Sequence, residues 1–383
     1  MKNEKSKRHG LDDWAVLERL LPAGWRSQAY TLGALRRRRG VQDAGNLLRC
    51  LLLYLAEGCS LAETAMRARE AGLGQFSRVA LFKRLRVAGP WLTWIAREFW
   101  QQRHADISEA APSLRMIATD ATLVVEQGAT GSQWCVHWAV DVGTLDCVEF
   151  GLTDLKAGET FRHFQVHPNT VMTGDRAYGR ARGIHHVVNA GGHVMVRFNP
   201  MMMPVSDGHG QKIHWLRQLR GLRAGQCVDV PVWVPFGGRL VPGRAVILRR
   251  SRAAVERARR RVNRIAHRNQ HKASPRALAL AAYVMVFTTL PQASHPPDRV
   301  MMDYRLRWQI ELVFKRMKSI MSLGQLPKRD PPSAKAWIAG KLLVAMLVER
   351  LQLEAESFSP WGYPLETSPE PLAGNEIRPP RIM

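Results

Sequence analysis

The sequence predicts a mixed α/β protein in which helices precede the sheet and a β-rich segment interrupts it. Apolar residues before residue 100 recur at helical spacing, as in the run 47–55. From about 113 to 200 the apolar pattern changes to short runs typical of strands, which alternate with one short helix. Between 200 and 290, prolines and glycines separate further strand-like runs. With 383 residues, the chain is long enough for two or three domains.

The helical region, 1–105, contains a pattern typical of a helix-turn-helix at 60–87. Ser60 is expected to cap a helix over 60–70, with Glu63 as its capping-box partner. A glycine turn at 71–74 leads to a second helix over 78–86, capped by Ser77. This second helix carries four cations in nine residues, which we expect to contact DNA: Arg78, Lys83, Arg84 and Arg86. The simpler alternative is an αα-hairpin with a solvated basic face.

The sheet region begins at 112, and its first part extends to 199. Strands are predicted over 114–125, 134–142, 146–152, 166–173 and 193–198, with a short helix over 184–190. A β-rich insertion with a basic segment is predicted over 200–285, its strands at 227–234 and 244–250 and a basic helix at 252–272. After a strand at 283–290, the second part of the sheet region, 286–356, carries helices over 298–321 and 334–353. The proline-rich tail, 357–383, is expected to be disordered.

The charge balance limits the classes of partner. The chain has 56 Lys and Arg against 32 Asp and Glu, a net charge of +24, and its pI is about 10.8. Such a protein is expected to bind a polyanion, nucleic acid first and an anionic membrane surface second. No apolar run reaches the length that spans a bilayer, and the N-terminal residues lack the apolar segment of a signal peptide. Five cysteines without a CxxC pair fit a reducing cytoplasm.

Two aspartates stand where a phosphoryl-transfer site would need them. Asp120 lies inside an otherwise apolar strand, where a carboxylate costs several kcal/mol unless it is paired or bound to a metal. Asp175 follows a short strand that ends in Gly174, and sites form at the carboxyl ends of strands in open α/β sheets. The alternatives are a frayed strand end for Asp120 and an ordinary Gly-Asp turn for Asp175.

A third acid lies on the helix predicted over 298–321. Four polar residues there fall within roughly 60° of arc, beside an apolar stripe: Tyr304, Arg307, Glu311 and Lys318. A solvated face with an Arg307–Glu311 pair is the alternative, although it explains neither Tyr304 nor Lys318.

The spacing Tyr304-(2)-Arg307-(3)-Glu311-(6)-Lys318 resembles the Y-(2)-R-(3)-E-(6)-K signature of the insertion-sequence-four family of DDE transposases. Asp120 and Asp175 look like the two aspartates of that family. The resemblance covers about residues 45–355. It implies a ribonuclease H-like fold whose insertion lies between the second Asp and the Glu, in agreement with the β-rich segment predicted above.

The resemblance also implies a mechanism and partners. Asp120, Asp175 and Glu311 would be the catalytic residues and the ligands of two Mg²⁺ ions, for which Mn²⁺ can substitute. The substrate would be double-stranded DNA at the nucleoid, namely the transposon's terminal inverted repeats and the target. Family members act as homodimers on paired ends, by nicking, hairpin formation, hairpin opening and strand transfer.

Further residues are expected to hold the DNA end. The resemblance assigns Tyr304, Arg307 and Lys318 to a phosphate near the 5′ end, and Arg176 follows Asp175 closely enough to join them. A flipped base would stack on an aromatic side chain, with Tyr283 and Trp215 as candidates and Trp233 as another. Each of these is more often a packing residue.

Two other functions remain open on the sequence. A catalytically inactive regulator or decayed transposase would keep the charge and the helix-turn-helix, although it has no need of all three acids. A junction resolvase of similar fold would need neither the helix-turn-helix nor the long insertion.

Overall fold

The computed structural model describes residues 13–108, 114–126, 132–144, 147–308, 310–312, 315, 325–326 and 331–356. The tail at 357–383 and Lys318 therefore lie outside the described residues. No helix in the described part of the chain is long and apolar enough to cross a membrane.

Helices form a layer on the sheet and connect its strands. They are α1 Asp13–Leu20, α2 Trp25–Thr31, α3 Ala44–Ala56, α4 Leu61–Glu70, α5 Arg78–Ser108, α6 Ala181–Asn189, α7 Trp215–Gln218, α8 Arg252–Arg268, α9 Pro275–Leu280, α10 Pro297–Leu306 and α11 Pro331–Glu356. The two N-caps predicted for α4 and α5 are confirmed: the hydroxyl of Ser60 accepts from the Glu63 amide, and that of Ser77 from the Ala80 amide.

The predicted recognition helix is longer than expected. α5 continues from Arg78 through Pro90 to Ser108, because buried apolar residues recur along it at helical spacing well past residue 86. α11 packs against α5 and α3, and Gly340 lies so close to Leu55 that a Cβ there would clash with its side chain. The C-terminal helix thus belongs to the same helical layer as the N-terminal helices, and the domain boundaries inferred from the sequence stay a prediction.

One mixed sheet organises the rest. Its strands are β1 Arg115–Glu126, β2 Ser132–Asp141, β3 Cys147–Asp154, β4 Thr170–Gly174, β5 His193–Arg197, β6 Cys227–Phe236, β7 Arg239–Arg249, β8 Tyr283–Thr288 and β9 Gln325–Leu326. The order is β3-β2-β1-β4-β5-β8-β7-β6, and β9 pairs with β1. β1, β2 and β3 are antiparallel neighbours, whereas β4 runs parallel to β1 and β5 parallel to β4. This topology is consistent with the predicted ribonuclease H-like fold.

The β-rich segment after residue 200 extends this sheet. β8 pairs antiparallel with β5 through Val196 and Phe287, and β7 and β6 follow it outward. The apolar residues of β7 and β8 are buried in the same core as the first five strands, since Ala245, Ile247 and Phe287 are all fully covered. The insertion therefore continues the sheet beside the carboxyl ends of β4 and β5.

Candidate active site

Asp120 lies in the middle of β1, at the level where β4 ends. β1 pairs with β4 up to Ala118 and Thr173, so Asp120 stands two residues beyond the last pair. Its Oδ1 accepts a hydrogen bond from the Ala121 amide at 2.8 Å, and its side chain is 21% exposed. The strand thus holds a largely covered carboxylate at the edge of the sheet where β4 delivers Asp175.

Asp175 directly follows β4, in agreement with the sequence-based prediction. Its Oδ1 accepts from the Ala177 amide at 2.7 Å, which fixes the turn after the strand. The preceding Gly174 carries no side chain because Tyr178 packs over it; a Cβ at this position would lie 2.7 Å from Cβ of Tyr178. The turn therefore brings the second carboxylate toward Asp120.

Glu311 reaches the same edge because the helix changes its winding after α10. The uninterrupted helix predicted over 298–321 is wrong here: α10 ends at Leu306, with Arg307 as its C-cap. The amides of Arg307, Trp308, Ile310 and Glu311 each bond the carbonyl three residues back, the tighter 3₁₀ pattern. The fully buried Ile310 anchors this turn in the core.

Arg307 connects two of the acids. Its Nη1 lies 3.6 Å from Oδ2 of Asp120, and its Nη2 donates to Oε1 of Glu311 at 3.2 Å. Burial and the negative charges of Asp175 and Glu311 raise the pKa of Asp120 to about 6, against the lowering effects of the Ala121 amide and Arg307. Asp120 therefore interacts electrostatically with both Asp175 and Glu311.

A fourth carboxylate, which the sequence analysis missed, lies near Asp120 and Asp175. Burial, followed by the charges of Asp175 and Asp120, raises the pKa of Glu159 to about 7. The hydroxyl of Tyr178 is buried without a hydrogen-bond partner among the described residues, and the charges of Asp120 and Glu159 help to raise its pKa. Glu159 follows a 3₁₀ turn after β3 and belongs to no motif, so only the fold reveals it.

The carboxylate oxygens of these acids are the type of ligand that a hard divalent cation such as Mg²⁺ prefers. Within the described ranges, however, no three Asp, Glu, His or Cys side chains lie close enough around one point to hold an ion. The guanidinium of Arg307 provides the positive charge between Asp120 and Glu311. The carboxylates thus match in kind the ligands of a divalent cation, and Arg307 is the cation that contacts two of them in this structure.

A second cluster beside the acids is cationic. Tyr304 donates from its hydroxyl to the Gly174 carbonyl at 3.3 Å, which ties α10 to the end of β4. Burial and the charges of Arg197 and Arg250 lower the pKa of Arg176 to about 10. The Nε atoms of Arg197 and Arg250 are buried and have no hydrogen-bond partner in the described part of the chain.

Sequence reasoning missed Arg197 and Arg250, although each terminates or follows an apolar strand as Asp175 does. Partly buried guanidinium groups whose Nε donors have no partner among the described residues are suited to an anion. Together with Arg176 and Tyr304 they form a cationic pocket next to the carboxylates.

The two base-stacking candidates differ in their surroundings. Trp215 is 3% exposed and packs edge-on against Phe198. Tyr283 begins β8, donates its hydroxyl to the Leu219 carbonyl at 3.2 Å and carries the guanidinium of Arg249 over its ring at 4.8 Å. Tyr283 lies at the end of the sheet where β5 ends, since Arg197 pairs with Val286.

The cations predicted to contact DNA on α5 are not equivalent. Arg78, Lys83 and Arg86 are exposed, whereas Arg84 donates to the carbonyls of Arg37 and Arg39. Burial lowers the pKa of Arg84. Its guanidinium therefore has a structural contact that the sequence did not indicate.

Comparison with known proteins agrees with this geometry. Residues 151–347, which include Asp175 and Glu311, match the family described as "Transposase DDE domain". The transposase for insertion sequence element IS421 of Escherichia coli is 30% identical over 366 residues, which cover 91% of this chain and 96% of that protein. InsL of insertion sequence element IS186A, from Escherichia coli strain K12 and named there as a candidate transposase, is 30% identical over 365 residues with the same coverage. The chain therefore belongs to the family of DDE transposases, enzymes that act on DNA.

Proposed function

We propose that the chain moves an insertion sequence by cut-and-paste transposition, with Asp120, Asp175 and Glu311 as the ligands of a divalent metal pair. The observation that carries the proposal is the contact of Arg307 with both Asp120 and Glu311, beside Asp175, at the end of β4. Arg307 therefore connects two acids that are distant in the sequence. Neighbouring carboxylates are stabilised by a cation, and Arg307 supplies part of that positive charge.

The metal would be Mg²⁺, with Mn²⁺ as a substitute. When bound, the ions neutralise charge on the phosphate and activate the attacking and leaving oxygens. The three carboxylates would supply oxygen ligands for such ions, and the 3₁₀ turn after α10 sets the position of Glu311. Each strand step is an in-line transfer at phosphorus that depends on positioning.

The cationic pocket would orient the DNA end. Arg176, Arg197 and Arg250 present guanidinium groups next to the acids, and two of them have free buried donors. Arg307, released from the acids by a metal, would be free to bind a phosphate bidentately. Tyr304 and Lys318 would complete this grip. Tyr283 would stack a base flipped out at the transposon end, and two copies of the chain would act together on paired ends.

The test uses the full chain and a supercoiled plasmid that carries the inverted repeats flanking the gene. With Mg²⁺, the wild-type protein should nick the plasmid at the repeat ends, and EDTA should abolish the nicking. Asp120→Asn should reduce the rate on the order of 10³-fold, because it removes a ligand needed in every strand step. Asp298→Asn, an exposed aspartate on α10, is the matched control and should keep the wild-type rate.

The outcomes separate the competing functions. Wild-type nicking no faster than that of Asp120→Asn would reject the enzyme and leave a DNA-binding regulator. Cleavage of four-way junctions without preference for the repeat ends would instead indicate a resolvase.

A further inference from the structure

Two neighbouring cavities form a continuous basic groove across the helical layer. The first, about 640 Å³, lies between the segment 33–40 and α5, and its cations are Arg36, Arg37, Arg39, Lys83 and Arg84. The second, about 750 Å³, continues along α5 to the start of α11, and its cations are Arg36, Arg86, Arg97 and Lys335. The cavities share Gly33, Arg36 and Val87, so they are one channel. We call it the basic groove.

The lining of the basic groove is rich in cations. Eight cations line it, and no aspartate or glutamate is among its lining residues in the described part of the chain. The neighbouring helix α4 is different, because its Arg67 pairs with Glu57 and with Glu63. Within the predicted helix-turn-helix, therefore, positive charge is concentrated on the side of α5 that faces segment 33–40.

The walls of the basic groove are fixed before any ligand binds. Arg84 donates to the carbonyls of Arg37 and Arg39, which holds the basic segment against α5. The Gln75 amide donates to the Gly40 carbonyl at 2.8 Å, and Gly40 has a positive φ of 76° in close contact with Gln75. Preorganised cations lose little conformational entropy when they bind an anion.

The length of the basic groove fits a nucleic-acid backbone. The α5 residues that line it run from Ala80 to Arg97, which at about 1.5 Å per residue is roughly 25 Å. Phosphates along one strand of a duplex are spaced about 3.4 Å along the axis, so this length accommodates about seven. Apolar side chains such as Val87, Pro90 and Trp94 alternate with the cations and suit the deoxyribose between phosphates.

We propose that the basic groove binds one backbone of double-stranded DNA, away from the catalytic cleft, through sequence-independent phosphate contacts. The choice of DNA as the polyanion rests on the proposed function. In a helix-turn-helix the second helix is expected to enter the major groove of DNA. Under this proposal, the flank of α5 instead follows the DNA backbone, together with segment 33–40 and the start of α11.

The experiment compares two variants with the same reduction in charge. The groove variant is Arg36→Gln, Lys83→Gln and Lys335→Gln; the control variant is Lys212→Gln, Arg217→Gln and Arg239→Gln, all six positions being exposed. Affinity for a duplex carrying the inverted repeat is measured by fluorescence anisotropy in EDTA over a series of salt concentrations. The slope of log Kd against log salt should fall by about 2.7 in the groove variant, at about 0.9 for each phosphate that is no longer neutralised. Affinity at physiological salt should fall at least tenfold in the groove variant and less than twofold in the control.

A second experiment identifies which phosphates of the duplex contact the basic groove. About seven consecutive phosphates are replaced by neutral methylphosphonates at successive positions along the duplex. At one position this replacement should weaken the binding of the wild-type protein, and the same replacement should not change the DNA affinity of the groove variant. Thermal melting of both variants checks that each is folded. Equal slopes of log Kd against log salt for the groove and control variants would overturn the proposal. The proposal would also be overturned if the groove variant lost binding to anionic vesicles while its affinity for DNA stayed unchanged.

This binding assay is independent of catalysis. A wild-type chain that fails to nick would reject the proposed function, and the difference between the groove and control variants in EDTA would still be measurable. Conversely, normal nicking with equal DNA slopes would reject the basic groove alone.

Discussion

Two arginine–aspartate pairs on β1 show how a structural contact differs from a functional one. At the start of the strand, Arg115 donates from Nε and Nη2 to Oδ2 of Asp141 at 2.9 and 2.7 Å. The other oxygen of Asp141 accepts from the Gly143 amide at 2.8 Å. In the middle of the strand, Arg307 lies 3.6 Å from Asp120, beyond hydrogen-bond distance, and its buried Nη1 has no hydrogen-bond partner in the described ranges.

The two pairs differ in how fully their polar atoms are engaged. Both aspartates are largely covered, with Asp141 7% and Asp120 21% exposed. In the Arg115–Asp141 pair both partners are engaged, and such a pair holds its strands in register. The Arg307–Asp120 pair keeps donors and acceptors available, as the proposed exchange of Arg307 for a metal ion would require.

The largest effect is expected from a substitution that breaks the Arg115–Asp141 pair. Asp141→Asn removes the carboxylate charge that Arg115 binds through two hydrogen bonds in a largely covered site, and we expect urea unfolding to show a decrease in stability of about 3 to 5 kcal/mol. The double variant Arg115→Met with Asp141→Leu removes both charges and should recover most of that decrease. A single variant within about 1 kcal/mol of wild type would show that the Arg115–Asp141 pair does not hold the strands together.

A smaller effect is expected from a substitution in the Arg307–Asp120 pair. Arg307→Lys keeps the charge but cannot reach Asp120 and Glu311 together or bind a phosphate bidentately, so nicking at the inverted-repeat ends should slow by about 10- to 100-fold. The free energy of unfolding should change by less than about 1 kcal/mol, because Arg307 and Asp120 are already beyond hydrogen-bond distance. If the variant unfolds as easily as Asp141→Asn, the distinction between the two pairs fails.

The local features of this fold were predictable because they depend on neighbouring residues. The caps at Ser60 and Ser77 and the strands around Asp120 and Asp175 follow from short-range patterns. The DDE family assignment from the spacing around Glu311 is also confirmed by the comparisons, while the role of each site residue stays a prediction.

The features that were wrong or missed depend on contacts between distant segments. α10 ends at Leu306 and a tighter turn follows before the buried Ile310, a break that the helical pattern of this segment did not indicate. Trp215 is covered by packing against Phe198, and Arg84 is engaged by carbonyls more than forty positions away. Glu159 joins the acids only through the topology of the sheet.

The smallest effect is expected at Glu149, a largely buried carboxylate that differs from Asp141 and Asp120 in its hydrogen-bond partner. Its hydrogen-bond partner is the backbone amide of Gln165, which donates to Oε2 at 2.7 Å. Burial raises the pKa of Glu149 to about 7, although that hydrogen bond and the charge of Arg97 act in the opposite direction. Unlike Asp141, it has no arginine in hydrogen-bond contact among the residues that the structure describes.

The sign of the pH effect follows from this raised pKa. The folded protein holds the proton of Glu149 more tightly than the unfolded chain, whose glutamate titrates near 4.5. The contribution to stability is therefore fully present below about pH 4.5 and is lost as the pH rises to about 7. Glu149→Gln does not titrate, so from pH 4.5 to pH 8 the wild type should lose about 1 to 3 kcal/mol relative to the variant, at about 1.4 kcal/mol per pKa unit and less for partial exposure. Urea unfolding of both proteins across this range measures the difference, and parallel pH profiles would mean that Glu149 is ionised in the folded protein as readily as in water.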